Sequence, residues 1–109
     1  LHDIGKNLVS LMLEGAGFQV KDLGSDVPAE KYVEAVRESG ANLVAMSALL
    51  TTTMVNMKDV IMLAREQGIQ NPVLVGGAVV TEAYAKSIGA SFAKDGVEAV
   101  RVVEKLIKR

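Results

Sequence analysis

The chain is expected to fold as an α/β domain, a doubly wound parallel sheet covered on both faces by helices. Three observations predict this. Helical and strand-like segments alternate along the whole length, glycines punctuate the junctions, and the clearest strand candidates are apolar at every position. Strands buried on both faces read as continuous apolar runs, whereas a sheet with one wet face alternates.

The elements follow in order. Leu8, Val9, Leu11, Met12, Leu13 and Ala16 recur at helical spacing, and Gly17 ends that helix. Phe18, Val20 and Leu23 read as a short strand. Pro28 sits at a helix start, Tyr32, Val33 and Val36 give the helix a buried face, and Gly40 stops it. Leu43-Val44-Ala45-Met46 is a strand expected to be buried on both faces. Thr51, Thr52 and Thr53 offer N-caps for a helix that carries Met54, Val55, Met57, Val60, Ile61 and Leu63 and closes at Gly68. Met54, Met57 and Met62 at helical spacing read as core packing. Pro72-Val73-Leu74-Val75 is the next strand. A helix from about Thr81 to Ile88, Gly89, and a short strand around Ser91-Phe92-Ala93 come after it. The last helix places Val97, Val100, Val103, Leu106 and Ile107 on one side, and the tail Lys105-Leu106-Ile107-Lys108-Arg109 is its cationic last turn.

Composition narrows the function. At 109 residues the chain forms one domain with one core. A formal charge of -1 gives no electrostatic sign of nucleic acid or an anionic membrane. With no cysteine there is no disulfide framework, thiolate nucleophile or zinc-thiolate site. Tyr32, Tyr84, Phe18 and Phe92 are scattered and make no stacking platform. No signal peptide or membrane-length apolar run is visible, so a cytoplasmic protein is expected. No linker, repeat or low-complexity segment interrupts the chain.

The chain opens with a helix directly behind a loop that bears its only histidine, His2. A doubly wound sheet of the flavodoxin-like, Rossmann-like kind begins with a strand, and in the order 2-1-3-4-5 that strand is central. A first strand upstream of Leu1, in a longer protein, is therefore expected. Direct pairing of the strands at Phe18-Leu23 and Leu43-Met46 would refute it.

In open parallel sheets ligands bind beyond the carboxyl ends of the strands. Three clusters converge there: His2-Asp3-Ile4-Gly5 after the expected first strand, Ser47-Ala48-Leu49 after the strand at Leu43, and Gly76-Gly77 after the strand at Val73. Neutral histidine is a common metal ligand. A glycine pair lets backbone approach a bulky ligand, and Ser47, Thr51 and Thr53 supply neutral donors and acceptors. Singly, each has a structural reading too. The histidine is solvated or capping, the glycine pair is a turn, Ser47 satisfies a backbone group, and the threonines cap a helix.

The spacing of these clusters resembles the cobalamin-binding domain of corrinoid methyl-carrier proteins and cobalamin-dependent methionine synthase. That family carries Asp-x-His-x-x-Gly, then Ser-x-Leu, then Gly-Gly. His2 and Gly5, Ser47 and Leu49, and Gly76-Gly77 match in one frame, and the resemblance extends to Ala93-Lys94-Asp95-Gly96. The run from His2 to Val9 looks most like the methyl-carrying branch. The motif aspartate would stand one place before Leu1.

The resemblance implies a cobamide bound base-off, with His2 as the lower axial ligand to cobalt and Asp3, Ile4 and Gly5 beside it. The nucleotide tail would pass Ser47, Leu49, Thr51, Gly76, Gly77 and Ala78, with Phe92 and Gly96 near the end of its pocket. Thr53 falls where methionine synthase has the serine of its hydrogen-bonded relay. Cobalt would cycle between methylated Co(III) and Co(I), and the histidine would couple proton to methyl traffic. The protein would be a non-catalytic carrier. Its implied partners are a methyl-donor-specific methyltransferase, a methyl-acceptor methyltransferase of tetrahydrofolate or thiol type, and a reductive activase. A helical cap domain is expected upstream. Three alternatives stay open: an adenosylcobamide-dependent mutase domain, a cobamide-sensing regulator, and a flavodoxin-like module unrelated to corrinoids. A receiver would end the strand at Leu43 with aspartate, where Met46-Ser47-Ala48 stands, and no P-loop or dinucleotide fingerprint is present.

Overall fold

The computed structural model describes residues 12–19, 28–48 and 50–107. Residues 12–15 are helical, and the helix closes with the Phe18 N–H donating to the Leu13 carbonyl at 3.1 Å while Gly17 adopts φ 95°. Phe18 itself belongs to no strand, and Val20 and Leu23 lie outside the described residues.

Helix α1 (Ala29–Ser39) starts at Pro28, whose ring holds φ at -67°, and ends at Gly40 in the left-handed region at φ 68°. Strand β1 (Val44–Ser47) leads to helix α2 (Thr51–Glu66) and strand β2 (Val73–Gly76). Helix α3 (Glu82–Ser87), strand β3 (Ser91–Phe92) and helix α4 (Gly96–Ile107) complete the order. The three strands run parallel in the order β1-β2-β3. Val44 pairs with Val73 and Ser47 with Gly76, while Val75 pairs with Phe92.

Helices cover both faces, as the expected architecture requires. On one face Val44, Met46, Val73 and Val75 pack with Met57, Val60 and Ile61 of α2 and Ala85 of α3, and Tyr32 and Val36 of α1 lean on the same cluster. On the other, Leu74 and Ala93 pack with Leu13 and with Ala99 and Val103 of α4. Loops at the amino ends of the strands are tied together by side chains. Asn71 Nδ2 donates to the Ala41 carbonyl at 2.5 Å, and the Arg65 guanidinium donates to the Ile69 and Asn71 carbonyls at 2.8 and 3.1 Å.

Besides Phe18, four expectations are corrected. Strand β1 is buried on one face only: Val44 and Met46 point inward, but Ala45 and Ser47 are exposed. The helices described on that face gather over Leu74 and Ala93, one strand or more away. Met62 is not core; it is 52% exposed, like Val55 at 60%, because both stand opposite Met57, Val60 and Ala64 on α2. Val97 is exposed for the same reason, with Ala99 and Val103 taking the inward face of α4. Finally, the threonines do not cap α2. Leu50 is the capping residue in extended conformation, Thr51 is already helical, and the Thr53 hydroxyl donates back to the Leu50 carbonyl at 2.9 Å.

Candidate functional site

Among the described residues the carboxyl edge of the sheet is built from three strand ends and the loops that leave them. Ser47 closes β1 beside Gly76, which closes β2. The ladder continues one residue further, with the Ala48 N–H donating to the Gly76 carbonyl at 3.1 Å. Beyond it the Gly77 carbonyl accepts the Val80 N–H at 3.1 Å, which folds residues 77–80 into a tight turn with Ala78 exposed at its tip.

Backbone crowding explains the glycine pair. A Cβ on Gly76 would lie 2.7 Å from the Ala93 carbonyl oxygen. One on Gly77 would overlap the Ala48 carbonyl oxygen and stand 2.7 Å from the Ala48 nitrogen, and Gly77 also adopts φ 112°. Both glycines are thus required by the approach of strand ends to one another. That approach leaves the edge lined by backbone and by small side chains.

The remaining expected residues fall in distinct places. Thr51 is exposed and Thr53 half-buried in the first turn of α2, whose capping residue Leu50 makes no side-chain cap hydrogen bond. Phe92 is half-buried against the cluster around Val75, on the face of the sheet opposite Ser47. Gly96 opens α4 beyond β3, two strands from Ser47. The structure therefore places Ser47, Gly76, Gly77 and Ala78 together at the edge, with Thr51 and Thr53 in the helix turn that follows β1; Phe92 precedes the Ala93 carbonyl that crowds Gly76, and Gly96 lies beyond β3. His2, Asp3, Ile4, Gly5 and Leu49 lie outside the described residues.

Two features of this edge carry little signal in the sequence. Ala45, exposed beside Ser47, extends the uncovered strip down β1, and only the position of the covering helices reveals it. Tyr84 in α3 donates its hydroxyl to the Met54 carbonyl in α2 at 2.9 Å, across thirty residues of chain. The available hint was chemical: a half-buried tyrosine hydroxyl finds a hydrogen-bond partner.

Among the described residues no group of three histidine, cysteine, aspartate or glutamate side chains could hold a metal ion. Nor is any described helix long and apolar enough to cross a membrane. Two surface depressions, about 530 Å³ along α4 and about 400 Å³ between α1 and α2, include no residue of the carboxyl edge.

A doubly wound parallel sheet with an open, small-residue carboxyl edge defines an α/β ligand-binding domain. The chain matches the B12 binding domain family over residues 1–104 and belongs to that family. It is 46% identical to dimethylamine corrinoid protein 2 of Methanosarcina acetivorans over 98% of this chain and 51% of that protein. The chain thus spans about half the length of this relative. Its fold is similar to the methanol:cobalamin methyltransferase complex MtaBC from Methanosarcina barkeri, with a TM-score of 0.93 and 34% identity over 97% of this chain and 42% of that one. It is equally similar to a cobalamin-binding protein from Desulfitobacterium hafniense, with a TM-score of 0.92 and 33% identity over 97% of this chain and 53% of that one.

The cofactor of this family is a cobamide, with cobalt in its corrin ring. The described residues suit the tail of such a group. Ala45 and Ser47 leave a strip of β1 exposed beside Gly76, with no bulky side chain on it.

Proposed function

We propose that this chain is the cobamide-holding half of a methyl-carrier corrinoid protein, binding the cofactor base-off with His2 as the lower axial ligand to cobalt. The observation that carries the reading is the uncovered strip of Ala45 and Ser47 beside Gly76 and Gly77, at the carboxyl edge of a B12-binding fold. When bound, the cobalt of the cobamide supplies the group that accepts and gives up methyl.

The protein's residues do the rest. Ser47, Leu49, Gly76, Gly77 and Ala78 flank the nucleotide tail, and the Ser47 hydroxyl is free to orient toward it. Thr51 and Thr53 present hydroxyls in the first turn of α2. A coordinating imidazole nitrogen must be deprotonated, and its second nitrogen is held by an acceptor, so His2 stores and releases a proton as its ligation changes. Asp3, Ile4 and Gly5 are the cofactor-binding residues next to it in this reading. Phe92 and Gly96 stand near the end of the tail's pocket in this reading. In this reading a first strand upstream of Leu1 and a helical cap complete the domain.

The partners follow from the role: a methyl-donor-specific methyltransferase, an acceptor methyltransferase of tetrahydrofolate or thiol type, and a reductive activase, all in the cytoplasm. The named relatives, a dimethylamine corrinoid protein and a methanol:cobalamin methyltransferase complex, support this over the mutase and sensor readings.

Reconstitution with hydroxocobalamin, followed by absorption spectroscopy, tests the proposal. The full-length wild-type protein is expected to take up cobamide with the spectrum of a base-off, histidine-ligated corrinoid. His2→Ala should bind with an altered spectrum and an altered methyl-transfer rate. No uptake by the wild type defeats the cobamide reading, and identical spectra and rates for His2→Ala defeat the ligand role.

A further inference from the structure

We propose that Tyr84 is a positioning residue for the carboxyl edge, holding the first turn of α2 at a set distance from the loop that follows Gly76 and Gly77. The inference rests on the cobamide reading, because the cofactor is what needs that distance.

Two ties bracket the segment that runs from Ser47 to Met54. At its start the Ala48 N–H donates to the Gly76 carbonyl at 3.1 Å. At its end the Met54 carbonyl accepts the Tyr84 hydroxyl at 2.9 Å. Between Gly76 and Tyr84 the chain is itself held by local bonds. The Val80 N–H donates to the Gly77 carbonyl, and the Thr81 hydroxyl oxygen accepts the Tyr84 N–H, each at 3.1 Å. The result is a closed ring of backbone and side-chain bonds around the two loops that carry Ser47, Thr51, Thr53, Gly76, Gly77 and Ala78.

The hydroxyl is the informative atom. The body of the Tyr84 side chain packs against the core cluster that contains Val75 and Ala85, and for packing alone a phenylalanine would serve. The oxygen instead reaches the first turn of a helix that has no side-chain cap. Within the helix that turn is held by its own bonds, among them the Thr53 hydroxyl to the Leu50 carbonyl, and Tyr84 ties it to a second element.

A cofactor tail that touches both loops must meet them at one separation. Without the hydroxyl the first turn of α2 samples further positions, and affinity falls by the fraction of molecules in the competent one. Tyr84→Phe keeps the ring and removes only this tie. Its affinity for cobamide is expected to drop about threefold to tenfold, the equivalent of one net hydrogen bond.

The test compares wild type, Tyr84→Phe and Asn71→Ala, each in the full-length protein. Asn71 ties loops at the opposite end of the sheet, so its variant loses stability without touching the carboxyl edge. Three quantities are measured: hydroxocobalamin affinity by absorbance titration, thermal midpoint by circular dichroism, and amide hydrogen exchange across residues 50–55. Faster exchange there and weaker binding in Tyr84→Phe, with binding by Asn71→Ala unchanged, support the proposal. Unchanged binding in Tyr84→Phe overturns it, as does an equal loss in Asn71→Ala, which would assign the effect to global stability. If the wild type takes up no cobamide, the underlying reading fails on its own. Unchanged exchange in Tyr84→Phe removes the tie whatever the ligand.

Discussion

Gly77 carries two demands at once, and they separate a structural requirement from a functional one. Its φ of 112° is open to glycine at little cost, and a Cβ there would enter the backbone of Ala48. Substitution by alanine must strain the loop, move β1, or both. Gly77→Ala is expected to destabilise the fold by about 2–4 kcal/mol, measured by urea unfolding. A change below about 0.5 kcal/mol would mean that the loop relaxes freely and that the glycine is there for a ligand instead. Ser47 is the complementary case: exposed and polar at a strand end, it has no packing role to explain it. The sequence showed both residues at the same edge because strand ends can be located from apolar runs. It did not show that the glycines meet Ala48 and Ala93, since those contacts join segments far apart in the chain.

At the scale of elements, helix ends were legible where the capping chemistry is local. Pro28 and Gly40 bound α1, and Thr81 caps α3 by accepting the Tyr84 N–H. Helix α4 carries a reciprocal arrangement. Asp95 Oδ1 accepts the Glu98 N–H at 2.9 Å, and Glu98 Oε1 accepts the Lys94 N–H at 3.1 Å. Asp95→Ala is expected to lower stability by about 1 kcal/mol while Asp95→Asn retains most of it, again by urea unfolding. Equal stability of wild type and the alanine variant would show that solvent replaces the cap. Helix α2 is the contrary lesson. Three threonines read as caps, yet the helix starts at Thr51, and Met62 and Val55 point outward. Apolar spacing identifies a helix, but which arc faces the sheet depends on how the helix is set upon it.

For the whole molecule, two clusters on opposite faces of one parallel sheet make the doubly wound form, and the ligand edge follows from strand direction. A cobamide bound only by the native chain must stabilise it by mass action. Hydroxocobalamin at a hundredfold excess over its Kd is expected to add about 2.7 kcal/mol, seen as a thermal midpoint that climbs with ligand concentration. A midpoint independent of cobamide would count against native-state binding.

The sequence alone established the class of fold, the order of its elements from α1 to α4 and the edge on which Ser47, Gly76 and Gly77 meet. Those depend on periodicity, glycine placement and the parallel rule, all of which are local or follow from chirality. Only the tertiary structure decided that β1 keeps one open face, that the glycine pair is wedged between backbones, and that Tyr84 spans thirty residues to Met54. Each of these depends on how far apart two packed elements lie, a distance set by side chains in the core and recorded at no single position of the chain.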